Sequence, residues 1–376
     1  MYFRNDELNE RGCMNILVGM SGGVDSSVTA LILKEQGHNV IGATMSIWGK
    51  GGVYDKIKQS GKLSKHGACL GPNEKEDIDA ARKVCEQIGI GFHVFDCAEQ
   101  YEKIVLANFR KEYLEGRTPN PCVWCNALIK FDLLQQLAKL NGIEFDKFAT
   151  GHYAKVEVGK NGRYLLKQGI NPQKDQSYFL YKLKQEQLRN IILPLGGYLK
   201  EEIRKIAQKH CLDVADKPDS QDFYEGDYNE LLEVEDKIGN ITDRNGKILG
   251  THKGIWNYTI GQRKGLGVSS TEALYVVELR KDTNEVIVDF QDKTFKNCLI
   301  ANDMNWIGID GLKDEIICSA KIRSSQKPQE VLIKPLDNGG ISAKFTNMQK
   351  SVSPGQSIVL YQDDIILGGG VIQSAV

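Results

Sequence analysis

The segment "NILVGMSGGVDSSVTALILKEQGHNVIGATM" (15–45) constrains the fold of this 376-residue chain more than any other. An apolar, β-rich run at 15–20 is followed by helical apolar spacing at 26–37 and by a second apolar run at 39–45. This order predicts a strand, a helix and a parallel strand. Because α and β patterns continue to alternate up to residue 150, we expect an α/β fold with a doubly wound parallel sheet and helices on both faces.

The loop between the first strand and the first helix reads "SGGVDSS" (21–27). Ser21, Gly22 and Gly23 allow the backbone to approach a ligand closely, and the helix that follows offers free N–H groups to a phosphate. Asp25 adds a carboxylate, which beside phosphates indicates a bridging Mg²⁺. The loop lacks both the Gly-Lys-Ser/Thr of a Walker loop and the third glycine of a dinucleotide fingerprint.

Composition argues against a membrane protein and restricts how the chain could bind nucleic acid. The longest apolar runs fall short of about eighteen residues, and the first fifteen residues are polar and charged, so we expect no membrane partner and a cytoplasmic location. The chain has 48 basic and 49 acidic side chains and a net charge of −1. Binding of nucleic acid must therefore depend on local patches rather than on the overall charge.

Nine cysteines are scattered along the chain without a regular framework. In a reducing compartment most such thiols belong to the core, with metal-binding or catalytic exceptions. We expect Cys85, Cys298 and Cys318 in the core. The exceptions are expected at Cys122 and Cys125, which lie three apart in "TPNPCVWCNALIKF", between a proline-pinned loop and a helix.

The second half of the chain has a different pattern. "GTHKGIWNYTIGQRKGLG" (250–267) combines basic and aromatic residues suited to phosphate contact and base stacking. From about Leu274 onward, period-two strands separated by polar or glycine turns predict a small antiparallel β-barrel. We expect a domain organisation of an N-terminal extension at 1–12, a catalytic domain at 13–204, a central domain at 205–280 and a barrel at 281–376.

Seven motifs occur in the order found in one enzyme family: "GMSGGVDSS", "TPNPC..CN..IKF", "ATGHYA", "KDQSYFLY", "KPDSQD", "YTIGQRKGLG" and "SPGQSIVLY.....LGGG". The chain therefore resembles the tRNA-specific 2-thiouridylases. The resemblance implies an ATP-pyrophosphatase domain (adenine nucleotide alpha hydrolase-like), a small central tRNA-contacting domain and a C-terminal β-barrel that helps to hold tRNA. It also implies a reaction in which ATP adenylates the C2 oxygen of the wobble uridine, pyrophosphate leaves, and sulfur displaces AMP.

The resemblance implies site residues by motif position. The catalytic residues are expected at Cys125 and Cys122. The ATP contacts fall on Gly19, Met20, Ser21, Gly22, Gly23, Val24, Asp25, Ser26, Met45 and Gly151. The target-base contacts fall on Asn120, Pro121 and Cys122, and the tRNA contacts on His152, Lys174, Asp175, Gln176, Arg323, Ser324 and Gln356. Ser324 departs from the family pattern, which commonly has an aromatic residue there.

One expected residue is missing. Family members commonly use a cysteine equivalent to Cys125 and a second, persulfide-carrying cysteine in the segment after "DSQ", but here that segment reads "KPDSQDFYEGDYNELL" (217–232). Three explanations are open. In the first, Cys69, Cys122 and Cys125 hold a [4Fe-4S] cluster with one iron free to bind sulfide. In the second, Cys122 and Cys125 form a nucleophile and resolving pair, and in the third, Cys211 takes the role of the missing cysteine. The remaining alternative is that these thiols have no chemical role and only contribute to packing.

Two other functions use the same features. An ATP-pyrophosphatase ligase would adenylate a small metabolite at the same loop, and a non-catalytic tRNA-binding paralogue would have lost sulfur transfer with its second cysteine. The motifs of the second half argue against the ligase, and the intact "SGGVDSS" loop argues against the paralogue. We therefore expect an ATP- and Mg²⁺-dependent tRNA sulfurtransferase whose partners are tRNA and a sulfur donor, either a persulfide-carrying protein or sulfide.

Overall fold

The protein is described by a computed structural model that covers residues 12–59, 68–71, 73–219, 222–224 and 226–375. The expected N-terminal extension, apart from residue 12, lies outside the described residues. In chain order the α-helices are α1 Val24–Glu35, α2 Gly52–Gln59, α3 Glu74–Ile88, α4 Ala98–Tyr101, α5 Ala107–Leu114, α6 Pro121–Trp124, α7 Leu134–Leu140, α8 Gln185–Arg189, α9 Lys200–Lys209 and α10 Tyr228–Leu232. The described residues also form π-helical segments at Glu102–Leu106 and Cys125–Leu133.

The strands of the described residues form three hydrogen-bonded sheets. In chain order they are β1 Asn15–Gly19, β2 Asn39–Ser46, β3 Gly91–Asp96, β4 Lys147–Thr150, β5 Ala154–Val158, β6 Tyr164–Gln168, β7 Ile191–Ile192, β8 Gly239–Thr242, β9 Ile248–His252, β10 Tyr275–Arg280, β11 Glu285–Asp289, β12 Phe295–Trp306, β13 Ile316–Lys321, β14 Gln329–Pro335, β15 Ile341–Lys350, β16 Ser357–Gln362 and β17 Ile365–Ala375.

The chain forms two compact units. The first unit comprises the described residues up to 104, residues 122–230 and residues 364–366, and the second unit comprises the rest. No helix in the described part of the chain combines the length and the apolar character that crossing a bilayer requires.

The first unit is built on a parallel sheet with the strand order β3-β2-β1-β4-β7. Its register places Ile16 opposite Val40 on one side and opposite Lys147 on the other. The strand order reverses at β1, so the gap between the carboxyl ends of β1 and β4 is the place where such sheets bind ligands. The predicted doubly wound sheet is confirmed.

Both faces of this sheet are covered. Ile16 and Val18 of β1 point into a core shared with α1, α3 and α9. On the opposite face, the ring of Phe148 in β4 packs edge-on against Phe131, with the ring centroids 5.7 Å apart. This alternation along buried strands explains why their sequence is apolar almost without interruption.

The second unit contains a four-stranded sheet with the order β10-β11-β8-β9. Strand β11 pairs antiparallel with β10 and parallel with β8. The expectation that all strands from Leu274 onward belong to the barrel is therefore wrong for β10 and β11. Their period-two pattern was correct, but periodicity identifies a half-buried strand without identifying the neighbour with which it pairs.

The remaining strands of the second unit, β12 to β17, form the predicted barrel. They follow the order β12-β15-β14-β13-β16-β17, and a further pairing between β12 and β17 closes it. The interior is filled by its own apolar core, including Leu299, Ile333 and Leu360. Because β12 pairs with both β15 and β17, the closed barrel has no unpaired edge strand of its own. The domain boundaries stay predictions.

Candidate functional site

The nucleotide loop, residues 21–27, leaves the carboxyl end of β1 and enters α1. The backbone N–H of Ser21 donates to the Ser26 hydroxyl (3.1 Å), and the Ser27 hydroxyl donates to the Gly23 carbonyl (2.8 Å). Gly23 is the N-cap of α1, and among the described residues no side chain caps the helix there. The first N–H groups of the helix therefore stay available for an anion.

Gly22 is required in this loop for two reasons. Its φ of +70° lies in the left-handed region, and a Cβ atom at this position would come within 2.2 Å of the carbonyl oxygen of Asp77. The side chain of Asp77 accepts a hydrogen bond from Lys217 (2.6 Å), whose ammonium also donates to the Gly22 carbonyl (3.0 Å). The loop is therefore held against α3 by contacts that only glycine permits.

Two further predicted ATP contacts lie at neighbouring strand ends. Gly151 follows β4, and a Cβ atom on it would meet the backbone of Asp25 and Ser26 at 2.8 Å. Met45 lies at the end of β2, where Glu74 accepts hydrogen bonds from the Ser46 hydroxyl and from two backbone N–H groups beyond it. The structure thus brings the loop, Gly151 and the end of β2 to one edge of the sheet.

Asp25 is held by two partners that the sequence did not reveal. The buried ammonium of Lys200 lies 2.7 Å from one carboxylate oxygen and 2.8 Å from the other. The hydroxyl of Tyr153 donates to the first oxygen at 2.7 Å. Burial of Tyr153, together with the negative charge of Asp25 beside it, raises the pKa of its hydroxyl far above the usual value, so Tyr153 remains a donor.

Lys200 also binds a second carboxylate. Its ammonium lies 2.7 Å from Asp219, which accepts from Lys174 at 2.7 Å and from Arg204 at 3.4 Å. Burial alone would raise the pKa of Asp219, but its hydrogen bonds to Lys174 and Lys200 outweigh that effect and lower it. Asp219 is therefore a carboxylate at neutral pH, and the network joins the nucleotide loop to the "KPDS" and "KDQ" motifs.

The thiol site, defined here as Cys69, Cys122 and Cys125, lies in the first unit. Burial is the largest cause that raises the pKa of Cys122 to about 12, with further contributions from Cys69 and Cys125. Burial likewise raises the pKa of Cys125 to about 11, although the nearby ammonium of Lys130 opposes the shift. Both thiols are partly exposed but protonated at neutral pH.

Cys69 is attached to the segment in which the family's second cysteine is missing. Its backbone N–H donates to the carbonyl of Asp222 (3.3 Å), and the next N–H, of Leu70, donates to the carbonyl of Phe223 (2.9 Å). Cys211, in contrast, is exposed at the end of α9 with a φ of +51°. Cys211 is therefore not packed as a small apolar residue.

A buried tyrosine and a fourth cysteine complete the surroundings of the thiol site. Tyr101 is 1% exposed, and its pKa is raised first by burial and then by Cys125, Cys69 and Cys122. Cys97 is fully buried after β3, and burial is the main reason why its pKa is raised to about 12. Burial is thus the main cause that disfavours ionisation of Tyr101 and Cys97, as it is for Cys122 and Cys125.

In the described part of the chain, no three His, Cys, Asp or Glu side chains are placed to hold a single metal ion. For Mg²⁺ this agrees with the usual arrangement, in which one or two carboxylates act together with substrate phosphates. The thiol site has the donor type that suits an iron–sulfur cluster, whose cysteine ligands are distributed over several irons rather than converging on one.

His152 is buried after β4. Its Nδ1 lies 2.7 Å from the hydroxyl of Thr150, and its ring is 5.6 Å from that of Phe131. Burial lowers the pKa of His152 well below 6.5, and the charge of Lys130 acts in the same direction. The ring is therefore neutral at physiological pH, and its neighbours fix its orientation. Because the side chain is buried, it can meet tRNA only with the small part of its surface that is exposed.

The predicted tRNA contacts of the "KDQ" motif differ in exposure. The side chain of Lys174 is 40% exposed, whereas Asp175 is buried and accepts from the backbone N–H groups of Gly169 and Ser177. Gln176 exchanges hydrogen bonds with the backbone of Tyr153 at 3.0 Å. Lys174 is therefore the member of the motif best placed to meet an external phosphate.

The second unit holds the start of the "TPNPC" motif. The amide of Gln356 donates to the carbonyls of Thr118 (3.2 Å) and Pro119 (2.9 Å), and the Thr118 N–H donates to the carbonyl of Pro354 (2.8 Å). Asn120, which follows, is 9% exposed. Gln356, a predicted tRNA contact, therefore also fixes the conformation of the segment that leads to Pro121.

Other predicted RNA contacts of this unit lie on its surface. Arg323 is exposed and donates to the carbonyl of Ser351 (2.5 Å), and Ser324 is partly exposed beside it. Arg263 is exposed, whereas Trp256 and Tyr258 pack against the core of the four-stranded sheet. Arg263 and Lys264 of this block are exposed to solvent, whereas Lys253 pairs with Asp236 (2.9 Å) and the aromatic rings are partly used in packing.

Three sequence models of known domains match the chain. Residues 14–224 match "tRNA methyl transferase HUP domain", residues 231–289 match "tRNA methyl transferase PRC-barrel domain", and residues 296–372 match "Aminomethyltransferase beta-barrel domain". The second match includes β10 and β11, in agreement with their pairing in the four-stranded sheet.

Curated relatives extend over nearly the whole chain. The tRNA-specific 2-thiouridylase MnmA of Endomicrobium trichonymphae is 47% identical over 362 residues, which cover 96% of this chain and 99% of that protein. The tRNA-specific 2-thiouridylase MnmA 1 of Thermoanaerobacter pseudethanolicus is 44% identical, over 96% and 98%. A solved structure, NMN synthetase from Francisella tularensis, aligns with a TM-score of 0.33 at 14% identity, over 57% of this chain and 69% of that one.

Proposed function

The chain belongs to the family of the tRNA-specific 2-thiouridylases, and we propose that it is an ATP-dependent tRNA sulfurtransferase that makes 2-thiouridine at the wobble position. The observation that carries the proposal beyond its family is the backbone pairing of Cys69 with residues 222 and 223. This pairing supports Cys69 as the replacement for the cysteine that this chain lacks. We also infer a cytoplasmic location, which suits free thiols and a tRNA partner.

The first half of the reaction uses the nucleotide loop. The C2 oxygen of the uridine attacks the α-phosphorus of ATP, a P–O bond forms, and the bond to pyrophosphate breaks. The free N–H groups at the start of α1 support this step because they face developing negative charge. Mg²⁺ bound beside Asp25 would neutralise phosphate charge. The proposed ATP contacts are those expected from the motifs, from Gly19 to Ser26 with Met45 and Gly151.

The second half of the reaction uses the thiol site. A sulfur nucleophile attacks C2, a C–S bond forms, and the C–O bond breaks as AMP leaves with the oxygen. If the nucleophile is a persulfide on one cysteine, a second thiolate must then cleave the S–S bond. That step leaves a disulfide between the two cysteines, and an external dithiol must reduce it before the next turnover.

If the sulfur arrives as sulfide, the displacement is redox-neutral. An iron–sulfur cluster on Cys69, Cys122 and Cys125 would supply an iron with an open position for it. In either case the neutral thiols must lose their protons before they act as ligands or nucleophiles. The target base is proposed to lie at Asn120, Pro121 and Cys122, and the tRNA at His152, Lys174, Asp175, Gln176, Arg323, Ser324 and Gln356.

The decisive experiment starts with protein purified without oxygen. ATP, Mg²⁺, unmodified tRNA and sulfide are added, and 2-thiouridine is measured after digestion of the tRNA. Formation of 2-thiouridine supports the proposal. Its absence, together with pyrophosphate release that depends on a small metabolite instead of tRNA, contradicts it, and tRNA binding without ATP cleavage would indicate a non-catalytic paralogue.

Iron and acid-labile sulfide per chain distinguish the two sulfur routes. They are measured in the unmodified protein and in the variants Cys69→Ala, Cys122→Ala and Cys125→Ala. Loss of iron and sulfide in all three variants supports a three-cysteine cluster. Protein that lacks both even after reconstitution, yet forms 2-thiouridine with a persulfide donor, supports the cysteine pair.

A further inference from the structure

Lys200 is a buried lysine between two carboxylates. It is the first residue of α9, and its side chain is 7% exposed. Its ammonium has three hydrogens, and three carboxylate oxygens lie within 2.8 Å: both oxygens of Asp25 and one of Asp219. All donors of the ammonium are therefore used, and both oxygens of Asp25 are engaged.

This arrangement conflicts with the simplest view of a magnesium site at Asp25. A divalent cation at that carboxylate would lie beside the Lys200 ammonium, and like charges a few ångströms apart in a partly buried site repel each other strongly. The described residues also offer no group of three ligands that could hold the ion without nucleotide. Asp25 can therefore accept Mg²⁺ only if the ammonium moves away or if phosphates add negative charge.

Asp219 allows such a movement without leaving Lys200 unpaired. It is already bound to the ammonium, and it is held in place by Lys174 and Arg204. The ammonium can release Asp25 and keep Asp219, and its free hydrogens can then turn to an anion. The phosphates of ATP bound at the adjacent start of α1 would supply that anion.

We propose that Lys200 is a positioning residue that occupies Asp25 in the nucleotide-free enzyme and turns towards the phosphates of ATP when they bind, so that Asp25 accepts Mg²⁺ only together with nucleotide. The inference depends on the proposed ATP site but not on the route of the sulfur. Its consequence is that the free enzyme rejects free Mg²⁺ and binds the metal and the nucleotide as one unit.

The test measures binding of Mn²⁺, as a spectroscopic probe for Mg²⁺, to the full chain without nucleotide. Lys200→Met removes the competing charge and should tighten Mn²⁺ binding by about tenfold or more, because Asp25 is left without its counter-ion. Lys200→Arg keeps the charge and should bind Mn²⁺ as weakly as the wild type. The double variant Lys200→Met with Asp25→Asn should lose the gain.

Lys217→Met is the matched control. It removes the same charge beside the same loop, since Lys217 contacts the Gly22 carbonyl and Asp77, but it does not touch Asp25. It should change Mn²⁺ affinity much less than Lys200→Met does, because the carboxylate that loses its partner is Asp77 and not Asp25. If Lys217→Met and Lys200→Met increased Mn²⁺ affinity equally, the increase would follow from the loss of any nearby positive charge. That result would overturn the proposal.

Unchanged Mn²⁺ affinity in folded Lys200→Met would also overturn it. If that variant does not fold, Lys200→Gln makes the same change of charge and retains hydrogen-bond donors for Asp25. The double variant with Asp25→Asn separates a gain in metal affinity at Asp25 from a gain at another carboxylate that the substitution leaves without its partner, such as Asp219. Failure of the proposed function would appear as loss of 2-thiouridine formation in the wild type, whereas this test is read from metal binding without tRNA.

Discussion

At the nucleotide loop the carboxylate of Asp25 is held by Lys200 and Tyr153, whereas at the thiol site Cys122 and Cys125 lie where burial disfavours charge. The backbone of the loop is therefore fixed, and Asp25 already has a counter-ion, before any ligand arrives. The thiols must instead be ionised after their surroundings change. Lys130, which lowers the pKa of both thiols against the effect of burial, is the positive charge already present near them.

The two halves of the reaction therefore require different changes in the protein before they can proceed. A preorganised anion site contributes to adenylation without reorganisation at the moment of reaction. A thiol that is protonated at neutral pH cannot attack until it loses its proton. We therefore expect changes at the thiol site to affect sulfur transfer alone, and changes at the loop to affect ATP cleavage first.

The largest expected effect separates the two halves directly. Cys125→Ala should lower formation of 2-thiouridine by about a thousandfold or more, because a reacting thiol is removed, while tRNA-dependent pyrophosphate release stays within about threefold. Both products are measured in one reaction. The control is Cys318→Ala, since Cys318 is buried in the barrel, where burial alone raises its pKa to about 12. Equal loss of both products would mean that the two regions are not independent.

The reactivity of the thiols should depend on pH as their environment dictates. Burial raises the pKa of Cys125 from 9.0 to about 11. At pH 8 its alkylation by iodoacetamide should be about a hundredfold slower than that of an ordinary thiol, and the rate should increase about tenfold per pH unit up to the pKa. Peptide mapping by mass spectrometry gives the rate, with the exposed thiol of Cys211 as an internal reference. Equally fast alkylation of both at pH 8 contradicts the picture of a neutral thiol site.

The rigidity of the loop can be tested at Gly22. Gly22→Ala introduces strain at a φ of +70° and a collision with the Asp77 carbonyl, and should lower the free energy of unfolding by about 3 kcal/mol or more. Gly142→Ala has the same kind of φ, +77°, with nothing within 4 Å of the added Cβ, and should cost only about 1 kcal/mol. Denaturant titration measures both. Similar values for the two variants would mean that the loop can shift away from α3.

The smallest expected effect concerns His152, which is neutral in the folded state because burial lowers its pKa. The unfolded chain binds a proton at this residue below about pH 6.5 and the folded chain does not, so stability is lost as the pH falls. Between pH 7.5 and 5.5 the wild type should lose about 1.4 kcal/mol more than His152→Asn. The free energy of unfolding is measured at both pH values. Other buried histidines such as His38 are present in both proteins, so their contributions to the pH dependence cancel in the comparison. Equal losses of stability in the two proteins would show that His152 is protonated in the folded state at the lower pH.

Much of the first unit was predictable from local sequence. The βαβ pattern at residues 15–45 determined three elements and the position of the loop, because apolar period and glycine placement depend on neighbours in the chain. The two-residue strand β7 could not be found in this way, since a run as short as Ile191–Ile192 has no detectable period. The pairing of β11 with β8 was also missed, because partners in a sheet are chosen by distant segments.

The sequence by itself determined the family, the phosphate loop, the Cys-x-x-Cys pair and the absence of a cysteine after "DSQ", since all of these are read from residue types at short spacing. Only the tertiary structure decided that Lys200 occupies Asp25 and that Cys69 pairs with residues 222 and 223. These contacts join residues more than 150 positions apart. No local pattern specifies them, because charge compensation and backbone pairing at such separations depend on how the sheet and its helices pack.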